Sequence, residues 1–325
     1  MMARIAEAGH IVHALKKPAN RDDHQLSQSD YEGWLGVAHS ADALECRVIF
    51  DAIRPDLIVV DNYALGAEWT EVACRDIPVM AIDDLANRRH SCDILLDQNL
   101  GREPSDYDGL VPTDALRLIG PSNALLRQEF ARAREASLAR RANLETPKNV
   151  MIAMGGMDRD NSTGAILDVL AMHPLSEDFR LSVVMGNAAP HLEAIKARSR
   201  SMPFATDVLV GVDDMASLLA QTDLAIGAAG GSAWERCCLG VPTLLLTLAD
   251  NQRPAARALA AQGAAFLVGD VRDEGWQAAL ATNLIRISEP GTLAAVSRVA
   301  ASLVDGLGTL RVTDALLRRI YGVRG

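Results

Sequence analysis

The chain has 325 residues, 49% of them apolar and 23% charged, which excludes a disordered or fibrous protein and suits about two globular domains. A formal net charge of −10 argues against a nucleic-acid-binding surface, and no stretch reads as the roughly 18 apolar residues of a membrane span. Five scattered cysteines form neither a C-x-x-C pair nor a disulfide framework, which predicts a cytoplasmic protein without a zinc site.

Met1 to Gly9 lacks the basic start and long apolar core of a signal peptide and reads as a short helix ending at Gly9. His10–Leu15 is predicted to follow as a strand, then Asp56–Asp61, Pro78–Asp83, Ile94–Asp97 and Leu116–Gly120. These runs are nearly continuous in aliphatic residues, as parallel strands covered on both faces are. Helical stretches between several of them indicate βαβ units and a doubly wound sheet. Arg127–Arg141 interleaves Arg with Ala, Glu and Leu, which reads as a solvated helix face. The loop after it ends Glu145-Thr146-Pro147-Lys148, and the domain boundary is placed there, giving domains 1–146 and 147–325. The second series begins at Asn149. It continues with strands at Phe179–Met185, Asp207–Val210, Leu224–Gly227, Thr243–Leu248 and Ala265–Val268. Adjacent Cys237 and Cys238 read as core filler, and the last helix, about Thr309–Tyr321, is expected to pack back on the first domain.

Two glycine turns in the second half follow strands and precede helices. The first contains Gly155 and Gly156, and the second runs Gly230-Gly231-Ser232-Ala233 and on to Glu235. Glycine lets a phosphate approach the backbone, and a helix start offers N–H donors and a positive dipole end. Glu235, one turn into its helix, suits a pair of ribose hydroxyls, although acidic residues are common at helix starts for dipole reasons alone. Neither turn matches G-x-x-x-x-G-K-[ST] or G-x-G-x-x-G, so neither a P-loop nor a dinucleotide fold is indicated.

The segment Ala228 to Gln252, with its Ala-Gly-Gly-Ser, Leu-Gly-Val-Pro and Ala-Asp-Asn-Gln, resembles the donor-binding segment of GT-B enzymes. Further landmarks are Val59 to Leu65, Ile82 to Ala86, Asp97 to Gly101, Ser105 to Gly109, Gly120-Pro121, Ala124 to Arg127 and Gly155 to Asp158. Together they are similar, in order, to the UDP-2,4-diacetamido-2,4,6-trideoxy-β-L-altropyranose hydrolase family of pseudaminic acid biosynthesis. That family is related to the glycosyltransferase that forms lipid II. The resemblance implies an α/β, GT-B-like fold, two Rossmann-like domains with parallel sheets facing a cleft. It implies cleavage of a UDP-sugar by water with inversion at the anomeric carbon, and no metal or cofactor. It implies that Gly155, Gly156, Gly230, Gly231, Ser232 and Ala233 serve the UDP diphosphate, Glu235 the ribose and Met215 the uracil loop. Asn251 and Tyr63 would meet the sugar. On residue type alone, Tyr63 could close a strand end, Asn251 could cap the next helix and Met215 could be core.

One landmark of that family, a G-x-G-H-x-x-R loop whose histidine is the expected catalytic base, has no counterpart in the chain. His10 and His13 sit at predicted strand positions, and no motif surrounds His90 or His191. Three explanations stay open. The base lies upstream of this sequence, the protein binds UDP-sugars without turnover, or a carboxylate such as Asp61 or Asp84 supplies the base. A missing first strand would leave an exposed sheet edge and favour low stability or dimerisation. Asn123 stands where the family pattern has tyrosine. The competing activity is an inverting glycosyltransferase. Of a different class is a catalytically inactive UDP-sugar binder.

Overall fold

The structure, a computed structural model, describes residues 2–15, 31, 35–173 and 178–322. The chain divides into two compact units. The first is Met1–Asp97, Arg102–Ile119 and Thr313–Gly325, and the second is Gln98–Gly101 and Gly120–Val312.

The first unit contains α1 (Met2–Glu7), α2 (His39–Ile53), β1 (Ile58–Val60), α3 (Ala67–Ala73), β2 (Val79–Ile82), β3 (Ile94–Asp97) and β4 (Leu116–Ile119). The four strands form a parallel sheet in the order β1-β2-β3-β4. Ile58, Val60, Val79, Ala81 and Leu95 share its core with Trp69 and Tyr107. The Trp69 indole donates to the Asp42 carboxylate at 2.7 Å, which ties α3 to α2. The strand expected at His10–Leu15 does not form. That stretch has no ladder partner among the described residues, its Ile11 is 85% exposed, and His10 and His13 lie at the surface. A short apolar run with neither a neighbouring strand nor a buried face has nothing to hold it as sheet.

The second unit begins with α4 (Gln128–Arg141). It continues through β5 (Asn149–Ala153), α5 (Ser162–Ala171), β6 (Arg180–Met185), α6 (Leu192–Ser199), β7 (Ala205–Val210), α7 (Met215–Gln221) and β8 (Leu224–Ala228). Then come α8 (Ser232–Cys238), β9 (Thr243–Thr247), α9 (Gln252–Ala261), β10 (Phe266–Asp270), α10 (Trp276–Arg286), α11 (Thr292–Leu303) and α12 (Gly308–Tyr321), whose residues from Thr313 group with the first unit. The six strands are parallel in the order β10-β9-β8-β5-β6-β7, with β8 and β9 buried at every position. This is the doubly wound order, and its switch point lies between β5 and β8.

The boundary therefore falls after Ile119 rather than at 146. The reason is α4, whose Arg134 and Arg141 turn into the second unit while Arg132 and Arg140 stay exposed. Arg141 is 1% exposed and donates to the carbonyls of Leu219 at 2.7 Å and of Thr222. Arg134 donates to the carbonyls of Ala301 (2.8 Å) and Val304 (2.9 Å), and Ser137 to that of Leu239 (2.7 Å). Guanidinium groups that donate to backbone carbonyls across the helices bind α4 to the rest of the second unit. Thr292–Tyr321 contains a window long and apolar enough to cross a membrane by composition, 44% of it buried within the protein. The structure breaks that stretch into α11 and α12, with Gly306 at φ +84° between them.

Candidate active site

In the second unit both glycine turns emerge from the strands that flank the switch point. Gly155-Gly156 follows β5 and Gly230-Gly231 follows β8, and β5 and β8 pair directly, Ala153 beside Gly227. The sheet thus brings together two segments more than seventy residues apart, at the place where open α/β sheets bind ligands.

The two turns differ in what they offer. After the first, Asp158 is buried and accepts from the backbone N–H groups of Ser162 and Thr163, each at 2.9 Å, so the start of α5 is already capped by a carboxylate. Gly155 and Gly156 line an open cavity of about 340 Å³ with Met157, Asp158 and Leu248. This turn supplies room rather than donors. At the second, Gly231 precedes α8 with no side-chain cap. Its φ of −52° and ψ of −30° suit any residue, and a Cβ added there would meet nothing within 4 Å. Neither backbone geometry nor packing requires glycine at that position.

Beneath the second turn lies a charge that motif reading does not find. Arg236 is 2% exposed and donates to the Ser232 hydroxyl at 3.0 Å and to the Ala228 carbonyl at 2.7 Å. Its Nε has no hydrogen-bond partner among the described residues. Burial pulls its pKa down to about 10, so it stays charged at neutral pH. Gly227 makes room for it, since a Cβ there would stand 3.0 Å from the guanidinium. Glu235 is half-buried, and burial raises its pKa while Arg127 and Arg236 oppose that. Ala233 is buried at the start of α8, and Met215 opens α7, half-buried against the core behind an Asp214 cap that accepts from Ser217 at 2.9 Å.

Asn251 precedes α9, and its side chain does not cap that helix. The turn carrying it is braced by a second feature that sequence reading missed. Asp270, 4% exposed at the end of β10, accepts from Thr247 at 2.9 Å, Arg253 at 3.0 Å and Arg272 at 2.7 Å. Arg272 also reaches Asp250 at 2.7 Å. Hydrogen bonds from Arg272 hold the Asp270 carboxyl well below the usual range.

In the first unit the strand ends carry acids and phenols instead. Asp83 is buried after β2. It accepts from Arg88 at 2.6 Å, from the N–H groups of Leu85 (3.2 Å) and Ala86 (2.8 Å), and shares the Tyr107 hydroxyl, at 2.9 Å, with the buried Asp97 of β3. Burial would raise its pKa, but His90, Arg88 and the Ala86 N–H outweigh it, and Asp83 stays far below the usual range. Asp84, next in the chain, behaves oppositely. Burial, aided by the negative charges of Asp83 and Asp97, pushes it up to about 6 against the pull of Tyr63 and Arg102. Tyr63, half-buried after β1, donates its phenol to Asp84 at 2.9 Å and meets the Tyr31 ring at 4.9 Å. Asp61 is exposed, His90 is buried 3.6 Å from Asp83, and the His191 ring lies 2.9 Å from the Arg159 carbonyl. Among the described residues no group of three His, Cys, Asp or Glu side chains is placed to hold a metal ion.

No family model matches the chain. Over 206 residues it is 34% identical to the spore coat polysaccharide biosynthesis protein SpsG of Bacillus subtilis, covering 62% of this chain and 58% of that protein. Over 265 residues it is 25% identical to the UDP-2,4-diacetamido-2,4,6-trideoxy-β-L-altropyranose hydrolase of Campylobacter jejuni, covering 78% of this chain and 92% of that enzyme. Among solved structures, the glycotransferase of kitacinnamycin superposes with a TM-score of 0.63 at 17% identity, covering 98% of this chain and 89% of that one. The fold is GT-B-like, with two parallel-sheet α/β units.

Proposed function

We propose that the protein is a nucleotide-sugar hydrolase that cleaves a UDP-linked 2,4-diacetamido-2,4,6-trideoxyhexose to UDP and the free sugar. The observation that carries this reading is the second turn, a glycine that the fold does not require, poised above a buried cation. An open helix start with a guanidinium beneath it suits a diphosphate, which carries the negative charge of the leaving group. Gly230, Gly231, Ser232 and Ala233 hold that diphosphate, with Gly155 and Gly156 leaving it room. Glu235 accepts from the ribose hydroxyls, and the start of α7 at Met215 offers backbone groups to uracil. Tyr63 and Asn251 serve the sugar. The match to nearly the whole length of the Campylobacter jejuni hydrolase supports water as the acceptor.

Release of UDP and free sugar from the diacetamido UDP-sugar, without any acceptor, tests the reading. Steady release of both supports it. Binding of UDP with no release removes the hydrolase assignment and leaves the nucleotide site standing. The similarity to a glycotransferase favours one second reading, an inverting transferase. Such an enzyme would release sugar steadily only onto an added acceptor.

A further inference from the structure

We infer that Arg236 is the positioning residue for Ser232, fixing its hydroxyl as a hydrogen-bond donor toward the diphosphate. This rests on the reading of the chain as a UDP-sugar enzyme with its diphosphate at the second glycine turn. A guanidinium has donors and no acceptor, so the 3.0 Å bond between Arg236 Nη1 and Ser232 Oγ has one polarity. Arg236 donates and the hydroxyl oxygen accepts. The single hydroxyl proton then cannot point back at the arginine. Ser232 makes no other side-chain hydrogen bond among the described residues, and it is exposed. Its proton is therefore turned outward, where it meets an acceptor such as a phosphate oxygen.

The seat of the arginine holds that polarity in place. Arg236 Nη2 donates to the Ala228 carbonyl at 2.7 Å, so one guanidinium spans the turn from the end of β8 to the first residue of α8. Gly227 leaves the space for it, since a Cβ there would stand 3.0 Å from Nη1 and 3.2 Å from Cζ. The side chain is 2% exposed and has no room to swing out toward a ligand itself. A serine without such a neighbour rotates its hydroxyl freely and offers a proton or a lone pair alike. Fixing the hydroxyl before the ligand arrives removes that ordering cost, and a donor chain from guanidinium to hydroxyl to anion polarises each bond in the same sense. The first glycine turn is built the other way. There the Asp158 carboxylate takes the N–H groups of Ser162 and Thr163, so those donors are already spent within the protein.

The experiment is a double-mutant cycle on nucleotide affinity, with the wild type, Ser232→Ala, Arg236→Met and the double variant titrated with UDP and with uridine, and a thermal melt of each. Each single variant should bind UDP about tenfold more weakly, the margin of one hydrogen bond to a charged group, and bind uridine as the wild type does. The double variant should also lose about tenfold, far short of the roughly hundredfold that independent contributions would give, because Arg236 acts through the hydroxyl. Ser232→Thr, which keeps a hydroxyl for Arg236 to orient, should restore UDP affinity. Should Arg236→Met fail to fold, Arg236→Gln takes its place in the cycle. An amide can accept the hydroxyl proton as well as donate, so it should weaken UDP in the same way. Losses that multiply in the double variant, or wild-type affinity for UDP in Ser232→Ala, overturn the assignment while the nucleotide site stands. Absence of UDP binding by the wild type overturns the UDP-sugar reading with it.

Discussion

The two units share one architecture and differ in what they place at the ends of their strands. The second sheet ends in glycine turns over a buried guanidinium whose Nε has no hydrogen-bond partner among the described residues. The first ends in a compact set of carboxylates and phenols, Asp83, Asp84, Asp97, Tyr63 and Tyr107. Since both sheets are parallel with helical crossovers, the fold itself does not dictate this difference. Electrostatics does the sorting. An anion is favoured at the cationic end and repelled at the acidic one, while neutral hydroxyl and amide donors suit acceptor-rich strand ends.

The largest effect that could break this comparison is expected at Gly231. Gly231→Val adds a branched side chain at a position where a Cβ meets nothing within 4 Å among the described residues. Its melting temperature should stay close to the wild type, while UDP affinity falls by more than about a hundredfold, some 2.7 kcal/mol. Calorimetric titration with UDP, beside a thermal melt, separates the two. A variant that binds UDP normally would show that the turn is only a turn.

Much of this contrast could be read in the sequence, and the limits have physical causes. Buried parallel strands write their pattern locally, so the runs around Ile58–Val60, Ile94–Asp97 and Thr243–Thr247 were recognisable as strands from composition alone. The glycine turns were visible for the same reason. The strand expected at His10–Leu15 failed because strand pairing is not a local property. Arg134 and Arg141 looked solvated because the carbonyls of Leu219, Ala301 and Val304 that they reach lie 78 or more residues away in the chain. Arg236 was hidden likewise, since an Arg following Glu235 on a short helix suggests a surface pair until Gly227 is seen to make room beneath the turn. Asp83 and Asp84 are the same residue type in adjacent positions, and only their three-dimensional neighbours set them apart.

A smaller effect is expected from removing the cation. Arg236→Met deletes a buried charge whose side-chain hydrogen bonds among the described residues go to Ser232 and Ala228, with no carboxylate. Replacing a buried ionic group by an apolar one of similar length is often neutral or stabilising. The melting temperature of the free protein should therefore hold or rise, while UDP binds about tenfold more weakly, the equivalent of about 1.4 kcal/mol. Uridine, which lacks the diphosphate, should bind both proteins alike. Equal losses for UDP and uridine would assign Arg236 to folding instead of to the anion.

The smallest effect sharpens the comparison through the sign of a pH dependence. Asp270, at the end of the second sheet, has its folded pKa lowered by Arg272. It contributes stability above the unfolded value of about 4, and that contribution is lost as pH falls through the folded pKa. Asp84, at the end of the first sheet, is raised from 3.8 to about 6. Between those values the folded state binds more protons than the unfolded one, so the contribution of Asp84 is full below about 4 and is lost as pH rises through about 6. At pH 7, then, Asp270→Asn should lower the melting temperature and Asp84→Asn should raise it. The Asp84 gain should be about 1 kcal/mol after solvent screening, or roughly 2–4 °C for a unit of this size. At pH 4 the Asp84→Asn difference should vanish, because the native carboxyl is by then as neutral as the amide. Scanning calorimetry at the two pH values checks it, and an Asp84→Asn shift that is the same at both would mean that burial does not raise the Asp84 pKa.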